Sequence, residues 1–366
     1  MTPGPASAYV SGLAYPTGEP APTVARHLAV PWVESPFFER DLASRQDLTA
    51  PDRELLRHYR ERGYVVVRGV VDDELIERIK SEVHGLFEPG TREGYRSFYR
   101  VHDAWQSSGA VKALAFHDKV LSVLRLLYGR EPVPFQTLNF LYGSQQANHS
   151  DAILFNSLPA RFMCGVWVAL EDVDPENGPL FYHPGSQSLK EYYLQDFDGT
   201  EDGDGDRFFG ERYPSFIRDL MEAYSFAREE HHAKRGDILI WSSNLVHGGA
   251  KRLHPTRTRW TQVTHYFFED CIYYVPLYSN TVSGEICLRD VVDLRTGKPA
   301  GQSFNGLPFS RTHLGGRRFR ISIAPAPEGL ESAVKGSLEQ LGAARSLLSG
   351  GRSRLRRFAG TLISRL

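Results

Sequence analysis

Residues 259–268 read RWTQVTHYFF, a run in which polar and apolar side chains alternate. In a β-strand every second side chain lies on the same face of the sheet, so this run predicts a strand. One face of that strand carries Arg259, Thr261, Val263 and His265. A guanidinium on that face of a partly dry β-structure can hold a carboxylate through two hydrogen bonds. His265 on the same face is interpreted as a buried hydrogen-bonding residue.

Short apolar segments of the same kind recur along the chain from about residue 133 onwards, separated by Gly, Pro and Asn turns. They are residues 135–142, 162–170, 180–183, 237–241 and 272–276. Many short strands with turn residues between them are typical of a β-sandwich or a jelly roll.

The N-terminal part has helical patterning instead. Thr49 begins a helix that runs to about Arg62 and ends at Gly63. A β-branched strand, 64–68, and two more helices follow, one opened by Asp72 and one over 111–128. We therefore predict a mainly β fold with flanking helices, that is, a double-stranded β-helix (jelly-roll) core with an α-rich N-terminal layer.

Changes in composition divide the chain into three predicted parts. Residues 1–45, rich in Pro, Gly and Ala, are expected to form a flexible N-terminal arm. Residues 46–330 are expected to form a single jelly-roll domain, with an insertion at about 188–230 that suits an active-site lid. Residues 331–366 are expected to form a basic, helical tail that either docks on the domain or makes a weak contact with an anionic surface.

The overall composition argues against several classes of function. The chain has 366 residues, a net charge of −1 and 41% hydrophobic residues, which is typical of a soluble globular protein without a field that recruits nucleic acid. Its three cysteines show no CxxC spacing, which favours a reducing, cytoplasmic location. We expect no membrane span and no secretion signal.

His149-Ser150-Asp151 and His247 are the residues most typical of a metal site. On an extended segment, the side chains of residues 149 and 151 lie on the same side. Two imidazoles and one carboxylate can occupy one face of an octahedral Fe(II) centre and leave positions open for a co-substrate and O2. Zinc is also chemically possible with these donors. Taken alone, each residue more often has a hydrogen-bonding role.

Aromatic side chains near the predicted core are candidates for contacts to a small-molecule substrate. Phe155 follows the HSD segment closely and is the preferred candidate, with Trp167 as the second. The acidic stretch 196–206 lies in the predicted insertion and does not follow the EF-hand pattern. As part of a lid it would favour a cationic or polyhydroxylated substrate.

The order and spacing of these motifs resemble the phytanoyl-CoA dioxygenase family of non-haem Fe(II)/2-oxoglutarate-dependent oxygenases, over roughly residues 50–275. The resemblance rests on HSD (149–151), WVALEDV (167–173), ENGPL (176–180), HPGSQ (183–187), GD (236–237), HG (247–248) and Arg259. It implies Fe(II) held by His149, Asp151 and His247. It also implies 2-oxoglutarate bound to the iron, with its distal carboxylate at Arg259.

The resemblance implies further contacts to the co-substrate. Family members often carry a polar residue on the strand before HSD, where this chain offers Gln136 and Asn139. They also often carry a small hydroxyl residue two positions after the second histidine. This chain has Gly249 there, and Thr261 is the candidate to replace that hydroxyl.

The reaction implied by the resemblance consumes 2-oxoglutarate and O2, releases succinate and CO2, and hydroxylates a small-molecule metabolite that the sequence does not identify. Related halogenases replace the metal-binding carboxylate by a small residue, so Asp151 favours oxygen transfer. The alternative is a non-catalytic metal-binding jelly-roll protein with a binding or sensing role.

Overall fold

The structure is a computed structural model that describes residues 29–87, 100–197 and 205–323. Its α-helices are α1 (Phe38–Ser44), α2 (Ala50–Arg62), α3 (Asp73–His84), α4 (Gly109–Ala115), α5 (Asp118–Tyr128), α6 (Gly205–Arg207) and α7 (Tyr213–Ala223). A π-helical segment, Phe208–Arg212, joins α6 to α7.

The structure has sixteen strands within the described residues. The first eight are β1 (Tyr64–Val67), β2 (Arg100–His102), β3 (Pro132–Phe140), β4 (Asn156–Leu158), β5 (Met163–Ala169), β6 (Leu180–Tyr182), β7 (Glu229–His231) and β8 (Ile238–Ser242). The rest are β9 (His247–Gly249), β10 (Thr261–Phe268), β11 (Ile272–Tyr274), β12 (Glu285–Cys287), β13 (Val292–Asp293), β14 (Lys298–Pro299), β15 (Phe309–Gly315) and β16 (Arg318–Ile323).

An antiparallel six-stranded sheet with the order β1-β8-β5-β10-β3-β2 forms the main sheet of the fold. Strands β5, β8 and β10 are buried along their whole length, because both faces of the sheet are covered. Strands covered on both faces can be apolar throughout, which explains the nearly continuous apolar run in β8. In β10 the alternating polar residues are buried as well, so they need partners inside the protein.

A second sheet, β7-β6-β9, lies against one face of the main sheet. Leu180 and Tyr182 of β6 share an apolar cluster with Trp167, Leu239 and Trp241 of the main sheet. Two antiparallel sheets that enclose a common interior form the predicted jelly roll. The predicted fold class is therefore confirmed.

The N-terminal helices cover the other face of the main sheet. Ile79 of α3, Leu114 of α4 and Leu124 of α5 pack in one cluster with Val166 and Ile240. Burial of each such side chain contributes about 1.5–3 kcal/mol. This helical layer stabilises the sheet and leaves its opposite face for the interior of the jelly roll.

The helix boundaries show where local signals were sufficient. The side chain of Thr49 caps α2 by accepting from the Asp52 amide, and Gly63 ends the helix with φ of +79°, as predicted. The predicted helix over 111–128 is wrong as a single element, because α4 ends at Ala115 and His117 is extended. The Tyr266 hydroxyl donates to the Ala115 carbonyl at 2.8 Å, which satisfies an acceptor at the end of α4.

The predicted N-terminal arm, 1–45, lies partly outside the described residues. From residue 29 onwards it differs from a flexible arm, because Val33, Phe38 and Leu42 are fully buried in the main apolar cluster. The Trp32 indole also donates to the Leu126 carbonyl at 2.9 Å. The predicted basic tail, 331–366, lies wholly outside the described residues.

The predicted insertion packs on the loops next to the sheets. Phe208, Tyr213 and Ile217 form an apolar cluster with Ile153 and Val246. Helix α7 within it ends at Ala223. The role of the insertion as a lid stays a prediction. In the described ranges, no helix is both long enough and apolar enough to cross a bilayer.

Gly165 of β5 leaves space that the Trp241 ring fills. The two residues are paired across β5 and β8, and a Cβ atom on Gly165 would lie 2.2 Å from Cζ2 of Trp241. We expect Gly165→Ala to displace that ring and to lower the free energy of unfolding by about 1–3 kcal/mol, measured by urea denaturation. Gly210→Ala is the matched control, since its added methyl meets no atom within 4 Å. Unchanged stability in Gly165→Ala would contradict this packing.

Candidate metal centre and its cavity

His149, Asp151 and His247 come together as a buried cluster whose potential ligand atoms all lie within 4.8 Å of one another. Nε2 of His149 is 3.8 Å from Oδ1 of Asp151. Nε2 of His247 is 3.9 Å from Oδ2 of the same carboxylate. The structure therefore brings together the three residues that the sequence singled out.

The backbone explains this convergence. The backbones of His149 and His247 pair as an antiparallel β-bridge. Each amide donates to the carbonyl of the other residue, with N···O distances of 3.0 and 2.9 Å. The sequence predicted an extended segment at Asp151. In the structure Asp151 instead begins a 3-10 helix, Asp151–Ile153. The Ser150 hydroxyl bonds to the Ser243 carbonyl at 3.1 Å and so holds the turn against the loop that follows β8.

Hydrogen bonds at the far ring nitrogens orient both histidines. Nδ1 of His149 lies 2.9 Å from the Ala147 carbonyl, and Nδ1 of His247 lies 2.9 Å from the Leu245 carbonyl. A carbonyl can only accept, so each Nδ1 donates a proton, and Nε2 is the ring nitrogen that faces Asp151. A hydrogen bond from the far ring nitrogen to a carbonyl is typical of metal-ligating histidines.

Trp241 and His265 complete the surroundings of the Asp151 carboxylate. The Trp241 indole donates to Oδ2 of Asp151 at 2.9 Å, and Nε2 of His265 lies 3.7 Å from the same oxygen. Burial opposes ionisation of Asp151, but the neighbouring imidazoles and the indole outweigh it and hold its pKa below the ordinary value. The side chain is therefore an anion at neutral pH.

Burial also opposes the charged form of the imidazoles, and for a base this means a lower pKa. It lowers the pKa of His149 to about 4, and it lowers the pKa of His265 to about 4 against the attraction of Asp151. Both rings are neutral at pH 7. A carboxylate beside neutral imidazole lone pairs is the protonation state that a divalent metal ion requires.

The cluster lies in the wall of a cavity of about 530 Å³. Arg259 lies in the same wall, fully buried, and donates from Nη1 to the Gly178 carbonyl at 2.9 Å. Burial lowers the pKa of Arg259 to about 10, so it stays a cation at neutral pH. Its Nε has no hydrogen-bond partner among the described residues. An unpaired buried guanidinium N–H is costly and fits a site for an anionic group.

Gly249 has no space for a side chain. A Cβ atom there would lie 2.5 Å from the Ser144 hydroxyl and 2.7 Å from the Gln145 amide. Ser144 itself lies in the cavity wall. Ser144 is therefore a second candidate, beside Thr261, for the hydroxyl expected at position 249.

The other predicted co-substrate residues divide between the two faces of the main sheet. Gln136 lies in the cavity wall and bonds to Nδ1 of His265 at 3.0 Å. Asn139 does not reach the cavity, because residues 136, 138 and 140 of β3 line it and residue 139 faces the other way, towards Gln262. Thr261 is fully buried and is not part of the cavity wall. The structure therefore does not place Asn139 or Thr261 at the site.

Both aromatic candidates line the cavity. The ring of Phe155 is 5.2 Å from that of His265, between centroids. Trp167 has an indole N–H without a partner among the described residues. Sequence reasoning missed Trp241 as the donor to Asp151 and did not consider Arg289, which also lines the cavity. Only the pairing of β8 with β5 and the packing of the C-terminal segment reveal these two residues.

The indole hydrogen bond of Trp241 generates a prediction about metal affinity. Trp241→Phe removes the donor that fixes the Asp151 carboxylate, and loss of such a partner typically weakens metal binding tenfold to hundredfold. We expect that loss in a calorimetric titration with Mn(II). Trp32→Phe is the matched control, because it also removes an indole hydrogen bond, in this case to the backbone carbonyl of Leu126. Neither residue belongs to the metal cluster. Equal affinities in both variants would contradict the role of Trp241.

A second prediction follows from the low pKa of His265. In the unfolded chain a histidine protonates near pH 6.5, whereas His265 in the folded protein protonates near pH 4. The unfolded state binds more protons between these values, so the free energy of unfolding falls as the pH falls through this window. For the metal-free protein we expect His265 to account for a loss of about 1.5 kcal/mol between pH 6.5 and pH 5.

Urea denaturation at the two pH values measures this loss, and His265→Gln should reduce it by that amount. His232→Gln is the control for the substitution itself, since His232 is exposed and does not line the cavity. An equal loss in wild type and His265→Gln would show that the ring does not titrate as the structure implies.

Comparison with known proteins places this geometry in a family. The family model for phytanoyl-CoA dioxygenase (PhyH) matches residues 59–254. Ectoine dioxygenase of Nocardia farcinica is 24% identical over 265 residues, which cover 66% of this chain and 82% of that protein. Phytanoyl-CoA dioxygenase domain-containing protein 1 of Mus musculus is 23% identical over 158 residues, or 42% of this chain. The match spans about half (51%) of the mouse protein.

Solved structures with a similar arrangement include the epimerase SnoN in complex with Fe3+, alpha ketoglutarate and nogalamycin RO, with a TM-score of 0.49 and 23% identity. The similarity covers 61% of this chain and 86% of SnoN. EctD from S. alaskensis with 2-oxoglutarate and 5-hydroxyectoine has a TM-score of 0.46 and 16% identity, over 62% of this chain and 78% of EctD.

The family model spans more than half of the chain and includes all three residues of the buried cluster. The chain is therefore a member of the phytanoyl-CoA dioxygenase family.

Proposed function

We propose that this protein is an Fe(II)/2-oxoglutarate-dependent oxygenase that hydroxylates a small molecule and releases succinate and CO2. The observation that carries the proposal is the cluster of His149, Asp151 and His247, with both Nε2 atoms within 4 Å of one ionised carboxylate. Two imidazoles and one carboxylate are the donor set of non-haem Fe(II) oxygenases. Because the cluster lies in a cavity wall, three ligands leave room for a co-substrate and O2.

Fe(II), when bound, supplies the activation of O2 with 2-oxoglutarate, and the protein supplies binding, orientation and exclusion of water. Nδ1 hydrogen bonds keep His149 and His247 in the ligating tautomer. Trp241 keeps the Asp151 carboxylate in place. Each of these contacts acts before any substrate arrives, so the site is preorganised.

Arg259 and Ser144, which both line the cavity, are proposed to hold the distal carboxylate of 2-oxoglutarate. Nε of Arg259 has no hydrogen-bond partner among the described residues, and among these residues no carboxylate lies at ion-pair distance from its guanidinium. The Ser144 hydroxyl lies where a side chain of residue 249 would be. A guanidinium and a hydroxyl together match the acceptors of a carboxylate.

The proposed outcome of the reaction is hydroxylation. Asp151 supplies a carboxylate ligand, which argues against the halogenase variant of the site.

An assay of 2-oxoglutarate consumption tests the proposal. We expect wild-type protein with Fe(II) and O2 to form succinate, and His149→Ala to form it at least about a hundredfold more slowly, since the metal loses a ligand. Succinate is quantified by NMR after fixed times. His232→Ala is the matched control, because this exposed histidine lies outside the cluster.

Two further results bear on the same assay. Arg259→Gln should raise the KM for 2-oxoglutarate about tenfold or more, because a charge-assisted pair is lost. Wild-type protein that binds Fe(II) but forms no succinate at any 2-oxoglutarate concentration would contradict the proposal and favour a non-catalytic metal-binding protein.

A further inference from the structure

The cavity contains a second group of arginines that the proposed chemistry does not use. Arg100, Arg289 and Arg317 line the cavity together with Arg259. Arg289 and Arg317 come from the chain beyond residue 254, where the match to the family model ends. This part of the wall therefore lies outside the segment that the family model matches.

Arg289 is held in a fixed position beside the metal cluster. Its backbone amide donates to the Tyr273 carbonyl at 2.8 Å. Its Cζ lies 4.5 Å from the centre of the Phe155 ring and 5.3 Å from that of Phe135. Two aromatic faces stabilise a guanidinium and restrict its movement. Burial lowers the pKa of Arg289 to about 10, so the group remains a cation at neutral pH.

Asp103 attracts the charge of Arg289, but the two do not form an ion pair in the described structure. Among the residues that the structure describes, no carboxylate lies within ion-pair distance of its guanidinium. In the described wall of the cavity, Asp151 is the only carboxylate, and its charge belongs to the metal cluster. Partial burial of an unpaired cation is unfavourable, and an anionic ligand would remove that cost.

Successive contacts link this cation to the metal cluster through Phe155 and His265. Phe155 contacts Arg289 on one side and His265 on the other, with ring centroids of Phe155 and His265 at 5.2 Å. His265 in turn is 3.7 Å from Asp151. A ligand that pairs with Arg289 and lies along Phe155 therefore reaches the metal cluster. The cavity of about 530 Å³ falls within the usual range for small-molecule sites.

We propose that the substrate carries an anionic group, a carboxylate or a phosphate, that pairs with Arg289 while its apolar body lies against Phe155. This inference rests on the proposed oxygenase function. It differs from the cationic or polyhydroxylated substrate that the acidic stretch 196–206 suggested. Asp206, a described residue of that stretch, bonds to the Tyr278 hydroxyl.

Binding of matched neutral and anionic probes tests the proposal. The probes are pairs of a carboxylate and its primary amide with aromatic and aliphatic bodies, such as phenylacetate and phenylacetamide, together with phenyl phosphate. They are titrated by calorimetry into full-length protein loaded with Mn(II) and 2-oxoglutarate. We expect at least one anion to bind about tenfold or more tightly than its neutral partner. Comparison of carboxylates with the phosphate identifies the preferred anion.

Substitution of Arg289 links that preference to one side chain. Arg289→Gln should abolish the preference for the anion, and Arg289→Lys should retain part of it. Arg311→Gln is the control, because Arg311 is an exposed arginine of β15 that does not line the cavity. The affinity for 2-oxoglutarate should be unchanged in Arg289→Gln, which also shows that this variant is folded.

Three results would overturn the inference. The first is equal binding of all anions and their neutral partners. The second is an anion preference that survives in Arg289→Gln. The third is a loss of 2-oxoglutarate affinity in Arg289→Gln, because that loss would assign Arg289 to the co-substrate. Failure of wild-type protein to bind 2-oxoglutarate would instead contradict the proposed function. The two proposals therefore fail by different measurements.

Discussion

The buried carboxylate of Asp151 is the group on which the rest of the site depends. A lone carboxylate inside a protein is strongly unfavourable, so its neighbours must compensate. Here the Trp241 indole donates to it, and three imidazoles lie within 4 Å of its oxygens. These contacts keep the group ionised. A neutral ring next to an anion is only partly compensating, and a bound divalent cation would complete the charge balance.

The jelly roll supplies this environment through backbone pairing that is distant in sequence. Residues 149 and 247 are joined by a two-hydrogen-bond bridge, and Trp241 and His265 flank Gly165 on the two strands paired with β5. The absence of a side chain at Gly165 allows the indole to approach the carboxylate. The packing of Trp241 in the sheet and the orientation of the Asp151 carboxylate therefore both depend on the absence of a side chain at Gly165.

Local sequence patterns were sufficient where the structure is decided locally. Alternation in residues 259–268 correctly placed Arg259 and His265 on one face, and the cap at Thr49 and the stop at Gly63 correctly bounded α2. The assignment failed where long-range contacts decide. Asn139 was assigned to the site because the register of β3 cannot be read from its own residues. Arg289 was missed because only the packing of the C-terminal segment brings it to Phe155. The break between α4 and α5 coincides with a hydrogen bond from Tyr266, which is remote in the sequence.

The central claim, that Asp151 and its imidazoles form a metal site, is tested most directly by counting bound metal. Mn(II) titration followed by electron paramagnetic resonance should show one tightly bound ion per chain in wild-type protein. Asp151→Asn keeps the shape of the side chain and removes its charge, so it should lose that ion, while Asp219→Asn, at an exposed ion pair, should retain it. Equal Mn(II) binding in wild type and Asp151→Asn would contradict the account.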